Sequence, residues 1–177
     1  MAVVSWGAPK LQFVPVTAGG SAPSASKWTD AITGFIEIPG DDLLENSSQL
    51  NTTAGDKKEL KNEKGVVVDS KQMPASYTFT ASIIEKKNET AYPGSSKFNA
   101  KNGVVAANYA MRLIAEDPAT PGFEMRMVSI TFDKGWTAEQ GSLDVINVSG
   151  LEPNFSGDTD KEICKDYSES VGSGSGA

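Results

Sequence analysis

The stretch Ser76–Lys87, SYTFTASIIEKK, alternates with a period of two. Tyr77, Phe79, Ala81 and Ile83 share one side, and Thr78, Thr80 and Ser82 share the other. Aromatic and β-branched residues in that pattern define a strand with one face on a core and one face in water. At ~3.3 Å per residue it would span roughly 35–40 Å, longer than most strands, and so project past its sheet. Several further strands with turn signals between them and little helix make the expected class all-β. Other candidate strands are Val3–Trp6, Leu11–Val16, Trp28–Ile38, Tyr109–Ala115, Phe123–Asp133 and Leu143–Val148. Pro15 marks Leu11–Val16 as an edge strand or arm. In Phe123–Asp133 the apolar parity changes between Met127 and Val128, which predicts a bulge. The predicted fold is a β-sandwich or partly closed barrel with a long β-hairpin arm, and its one helical candidate lies in Ser95–Asn102.

The arm comes from Asp41–Lys71, a polar, charge-dense segment with few apolar anchors. Polar connections of that length are either functional or unstructured. Residues 1–153 are read as the β domain. Residues 154–177, acidic and Gly/Ser-rich, are read as a disordered tail.

The chain of 177 residues carries a net charge of −7 and contains no histidine. The acidity argues against a general nucleic-acid binder, which needs a basic surface to replace phosphate counterions. It suits a surface past which nucleic acid slides without sticking. Lack of histidine removes the commonest general base and the commonest metal ligand. The single cysteine, Cys164, excludes an intramolecular disulfide and reads as an incidental thiol. The N-terminus lacks a signal-peptide pattern, and no apolar run reaches the ~20 residues of a membrane span.

Enzyme motifs are lacking, so no catalytic residue, metal site or cofactor is assigned. Asp41-Asp42 and Glu116-Asp117 sit beside turn residues, where acids act as caps. Asp158, Asp160 and Glu162 alternate like the start of a calcium loop but lack its Gly and closing Glu. Trp6, Trp28 and Trp136 could build a carbohydrate-stacking platform, although scattered tryptophans more often serve cores and interfaces.

Three blocks, NSSQLNTTAGDKKELKNEKGVVVD, SYTFTASIIEKK and NGVVAANYAMRLIAEDPATPGF, together with the closing WTAEQG and VSGLEP, form a larger pattern over Glu45–Pro153. It resembles the tail tube (major tail) proteins of long-tailed bacteriophages and prophages. The resemblance implies a virion protein, made in the bacterial cytoplasm, whose copies form rings, hexameric by expectation. The rings stack into a tube that conducts DNA on ejection. Implied partners are the protein itself, terminator and tape-measure proteins and transiently passing DNA, with no membrane and no cofactor. By position, Leu50–Asp69 would be a hairpin packing on a neighbouring copy, with Leu50, Asn51, Thr52, Thr53, Gly55, Val66, Val67 and Val68 as its contact residues. Lys57, Lys58, Glu59, Lys61, Glu63, Lys64, Glu85, Lys86 and Lys87 would be lumen or interface charges. The alternatives are a head-decoration or head–tail joining protein, and a monomeric carbohydrate-binding module. The second predicts a monomer with an exposed aromatic platform.

Overall fold

The computed structural model describes residues 9–16, 28, 34–85, 95–117, 119–153 and 160–168. Among these the protein is all-β and sandwich-like, with no helix of seven residues or more. Its strands are β1 (Lys10–Val16), β2 (Ile36–Ile38), β3 (Gln49–Thr53), β4 (Lys57–Lys61), β5 (Val67–Gln72), β6 (Ser76–Ile84), β7 (Asn108–Ile114), β8 (Gly122–Thr137), β9 (Gly141–Gly150) and β10 (Lys165–Tyr167). An antiparallel sheet runs in the order β2-β1-β7-β8-β9-β6-β3, with β10 added beside β8. The pair β4-β5 forms a separate two-stranded ribbon.

The sheet curls over one core without closing. Leu11 and Phe13 of β1, Phe79 and Ile83 of β6, Met111 of β7 and Ile146 and Val148 of β9 all face inward and are fully or nearly fully buried. A 3-10 turn at Gly40–Asp42 follows β2 at one edge. The chain then bonds across to β6, where Leu43 bridges Ile83 and the Leu44 amide donates to the Ser82 carbonyl at 2.9 Å. One short connection therefore ties both ends of the curl. The predicted helix is a single 3-10 turn, Ser95–Phe98. It delivers Phe98 into the core against Phe13, Tyr109 and Phe132, at centroid distances of 5.2, 5.1 and 5.4 Å. Offset and edge-on aromatic contacts of this kind add to the gain from burial.

The bulge lies where the parity change predicts it. Tyr109 pairs with Val128 but Met111 pairs with Met125, so β8 carries one extra residue at Arg126–Met127. Phe123 and Met125 face the core before the bulge, and Val128, Ile130 and Phe132 face it afterwards. On the opposite face Val14, Val16 and Ala110 make a second small cluster with Phe35 and Met127.

That second face also holds buried charge. Glu124 and Arg126 are each only 5% exposed. Arg112, directly opposite Glu124 on β7, donates from Nε to Glu124 Oε2 at 3.2 Å. Arg126 Nε lies 2.5 Å from Glu124 Oε1, an ion-pair approach without hydrogen-bond alignment. Aromatic rings cover the cations. Tyr167 and Phe35 lie 4.1 and 5.0 Å from the Arg112 guanidinium, and Trp28 lies 5.5 Å from that of Arg126. Trp28 Nε1 donates to the Glu162 carbonyl at 2.8 Å, and Lys165 Nζ sits 4.5 Å from the Trp28 ring.

Four expectations change. Residues 160–168 belong to the fold, since β10 pairs with Gly122–Glu124 and roofs the charge cluster. The expected disordered tail overlooked this because Tyr167 is a single aromatic among polar neighbours. Asp41–Lys71 is not one arm, because Gln49–Thr53 pairs in register with Ser76–Thr80 inside the main sheet. Among the described residues of the predicted strand Trp28–Ile38, Ile36–Ile38 pairs as a strand and Gly34, at φ +78°, breaks the extended run before it; residues 29–33 lie outside the described ones. β1 is internal along Leu11–Phe13, flanked by β2 and β7, whereas Pro15 lies beyond the reach of β2 and has only β7 beside it. A proline there removes no bond to β2. Val3–Trp6 lies outside the described residues.

Replacing Phe98 with Ala removes the one ring that joins β1, β7 and β8 inside the curl. The variant is expected to lose about 3–5 kcal/mol in urea unfolding, with an unchanged slope. A loss below ~1 kcal/mol would show that the core closes over the vacated space.

A candidate assembly surface

Among the described residues the ribbon β4-β5 is the most exposed pair of strands. Every residue of both strands is exposed, and neither packs extensively on any described strand but its partner. An isolated two-stranded hairpin is marginal in water, so its shape depends on its two ends. At the tip Asn62 organises the turn. Its Oδ1 accepts from the amides of Lys64 and Val66, both at 3.0 Å, and its carbonyl accepts from Gly65 at 2.9 Å. Gly65 takes the left-handed conformation, φ +77°, that a side chain would resist. At the base the Met73 amide donates to the Asp56 carbonyl at 2.9 Å, and the Gln72 side chain donates to the Gly55 carbonyl. A Cβ on Gly55 would lie 2.1 Å from the Met73 carbonyl oxygen and 2.4 Å from that of Pro74. Only glycine lets the two chains pass so closely.

Pairing register sorts the side chains onto two faces. Lys57 opposes Gln72, Lys58 opposes Lys71, Glu59 opposes Ser70 and Leu60 opposes Asp69, after which a bulge brings Lys61 opposite Val67. One face holds Lys57, Glu59 and Lys61, where Glu59 takes ion pairs from Lys57 at 3.0 Å and Lys61 at 3.9 Å. The other holds Lys58, Leu60, Asp69 and Lys71, while Val67, opposite Lys61, shares the first face. Among the described residues neither Lys58 nor Lys71 has an ion-pair partner, although they stand directly opposite one another. Like charges so placed repel. Leu60 is 65% exposed, Val66 59%, Val67 45% and Val68 64%. Five lysines (57, 58, 61, 64 and 71) against three acids (59, 63 and 69) make the ribbon basic, while the whole chain is acidic.

The residues assigned from sequence therefore separate into groups. Gly55, Lys57, Lys58, Glu59, Lys61, Glu63, Lys64, Val66, Val67 and Val68 lie on the ribbon, its turn or its base. Leu50, Asn51, Thr52 and Thr53 belong to β3, an edge strand of the main sheet, and Leu50 packs against the core. Their assignment to a projecting arm is corrected: alternation continues through them, and β6 supplies their partners. Glu85 sits at the far end of β6 from the ribbon. There it meets Lys134 and the Ser142 hydroxyl, while Lys134 also lies 3.6 Å from buried Asp144. Asp144 in turn accepts from the Ser95 amide at 3.1 Å. This network forms part of the wall of an open cleft of about 460 Å³ with Asn102, Gly103 and Asp133. Lys86 and Lys87 lie outside the described residues.

From sequence Trp136 is weighed as part of a stacking platform, against a core or interface role. It lies on the inward parity of β8, but past the last core layer, and is 71% exposed beside the β8-β9 turn. The expected alternation past Phe132 was the available signal. Trp28, by contrast, is covered by cations and hydrogen-bonded, so it offers no open stacking face. Asp160, one of the calcium-loop candidates, pairs with Lys165, and Asp158 is outside the described residues. Among the described residues no three His, Cys, Asp or Glu side chains cluster to hold a metal, and no helix is long and apolar enough to cross a membrane.

Lys134, and then the Ser142 hydroxyl, hold the Glu85 carboxyl below its ordinary value, while Glu85 raises Lys134. The carboxylate's contribution to stability is full above its unfolded pKa and disappears as pH falls through the folded one. The ammonium's contribution is present below its unfolded pKa and is lost as pH rises through the folded one. Both groups are substantially exposed, so the contact is worth at most about 1 kcal/mol. Glu85→Gln should lower the thermal midpoint near neutral pH and match the parent protein once pH falls below the folded carboxyl pKa. An equal deficit at both pH values would mean that packing, not charge, is lost.

Burial pushes the Cys164 thiol up to about 11, with Asp166 and Glu162 adding to it. In the folded protein it should react with iodoacetamide at pH 8 at least tenfold slower than in urea, because the thiolate is the reacting form. Equal rates would show that the segment carrying β10 is not docked. No family model matches the chain, and no curated protein matches it in sequence.

Proposed function

We propose that the protein is a structural subunit that polymerises with copies of itself, as the tail tube proteins it resembles do, into stacked rings that make a conduit for DNA. The observation that carries this reading is the ribbon: Leu60, Val66, Val67 and Val68 are exposed on a hairpin that no other described strand covers. Exposed apolar side chains on a projecting strand pair favour association. The turn and base that hold the ribbon in one shape reduce the ordering cost of docking it. A net charge of −7 suits a conduit that does not retain nucleic acid. A virion decoration or joining protein would share the sheet and the ribbon, and differs only in how copies arrange themselves.

Negative-stain microscopy and sedimentation of the purified chain, from dilute to concentrated, test the proposal. Hollow tubes or stacked rings of uniform width are expected. Replacing Lys58–Lys71 with a short Gly/Ser turn should keep the unfolding midpoint of the main sheet and abolish the polymers. Monomers of the full chain at every concentration, or unchanged polymers from the shortened one, would overturn it.

A further inference from the structure

β8 outruns its neighbour on one flank. β7 begins at Asn108, and Tyr109 pairs with Val128, after which a single bridge joins Val104 to Thr131. Among the described residues the last backbone bond on this flank runs from the Phe132 amide to the Gly103 carbonyl, at 2.8 Å. There the neighbouring chain turns away. Asn102 and Gly103 have φ of 51° and 79°, and the amides of Lys101 and Val104 each donate to the other's carbonyl at 3.0 Å. This is the two-residue turn that Asn-Gly favours. A Cβ on Gly103 would lie 2.3 Å from the Phe132 carbonyl oxygen, so only glycine passes so closely. β8 nevertheless continues to Thr137, paired among the described residues with β9 alone.

Backbone groups along a strand point alternately to its two flanks. Since those of Phe132 point away from β9, so do those of Lys134 and Trp136, whereas Asp133 and Gly135 face β9. The amides and carbonyls of Lys134 and Trp136 therefore form an edge with no backbone partner among the described residues. This edge borders the open cleft of about 460 Å³ that Asn102, Gly103 and Lys134 help to line. Its inward face carries the largely exposed Trp136 ring. Its outer face carries Asp133, which is exposed and accepts from the Asn147 side-chain amide at 2.7 Å.

We infer that this edge receives an extended segment of a separate polypeptide, which joins the sheet as a further strand beside β8. Donors and acceptors repeating at every second residue are the complement of another extended backbone. Trp136 anchors an apolar side chain of that segment. Asp133 selects a lysine or arginine three positions from the anchored residue, because three steps along a strand change face. The end strands of this chain's own sheet do not fit: β2 is Ile36-Glu37-Ile38, and β3, Gln49–Thr53, has no basic residue. The inference stands apart from the self-assembly reading and does not need it.

A capped hexapeptide, Thr-Lys-Val-Thr-Leu-Thr, has its basic and apolar residues at that spacing. The test is amide hydrogen exchange, read by NMR on the full chain below its assembly concentration. In the free protein the Lys134 and Trp136 amides should exchange faster than that of Gly135, which faces β9. The peptide should protect both, leave Gly135 unchanged and bind with a Kd of about 1 mM or tighter, the affinity that four net backbone hydrogen bonds supply. Methylating one alternate set of peptide nitrogens should weaken binding by about tenfold or more, and methylating the other set should not. Trp136→Ala should weaken binding by about tenfold while keeping the parent unfolding midpoint, since the ring is exposed. No protection of Lys134 and Trp136 at ten times that peptide concentration would overturn the site. Binding that neither methylated set weakens would reduce the contact to adhesion on the indole and overturn strand addition. Polymers that dissolve as the peptide binds would give the edge to a second copy and overturn the separate partner.

Discussion

One extra residue in β8 sets the terms for most of this structure. Without the bulge at Arg126–Met127, the apolar residues on either side of it could not all face inward, because side chains in a strand alternate strictly. With it, Phe123 and Met125 join Val128, Ile130 and Phe132 on the core side. The same shift leaves Arg126 on the outer face two residues from Glu124, in line with Arg112 across the strand pair. A single β8 of sixteen residues can then serve β7 on one flank and both β9 and β10 on the other. Core and buried charge are consequences of one irregularity.

The charge cluster explains why the C-terminal segment returns to the sheet. Two guanidinium groups and one carboxylate on a buried face are costly to desolvate, and removing any partner leaves a charge uncompensated. Tyr167, Phe35 and Trp28 supply aromatic faces to the cations, which lessens that cost without adding further charge. β10 is only three residues long and is held as much by these side chains as by its ladder. The burial that sets the Cys164 thiol high is the same docking seen from its other side.

Legibility in the sequence followed the range of the interactions. Alternation in Ser76–Ile84 and the parity change before Val128 are local, and both the strand and the bulge were visible from them. Trp28 and Glu162 are joined by a hydrogen bond across most of the chain, and no local pattern announces such a pair. Arg112 and Glu124 each look like a solvated outer-face residue until β10 covers them. The ribbon was visible as a charged, weakly apolar stretch, but its limits were not. Gln49–Thr53 continues into it without a change of composition, and only the close passage of Gly55 against Met73 and Pro74 marks where sheet ends and ribbon begins. Trp136 shows the converse: its parity suits the core, and only the finite length of the neighbouring strands places it outside.

The charge distribution also bears on what kind of polymer this chain can make. Two ribbons packed face to face would bring Lys58 and Lys71 of one copy against the same lysines of the other. Such a contact sets four lysines beside Leu60 against two Asp69 carboxylates, and the remaining repulsion opposes the apolar gain. A ribbon docked on a different surface of another copy avoids that repulsion. Symmetric pairing ends at a dimer, whereas pairing of unlike surfaces continues until a ring closes or a stack runs out of subunits. The opposed lysine pair on the ribbon therefore biases the proposed assembly away from the dead-end dimer.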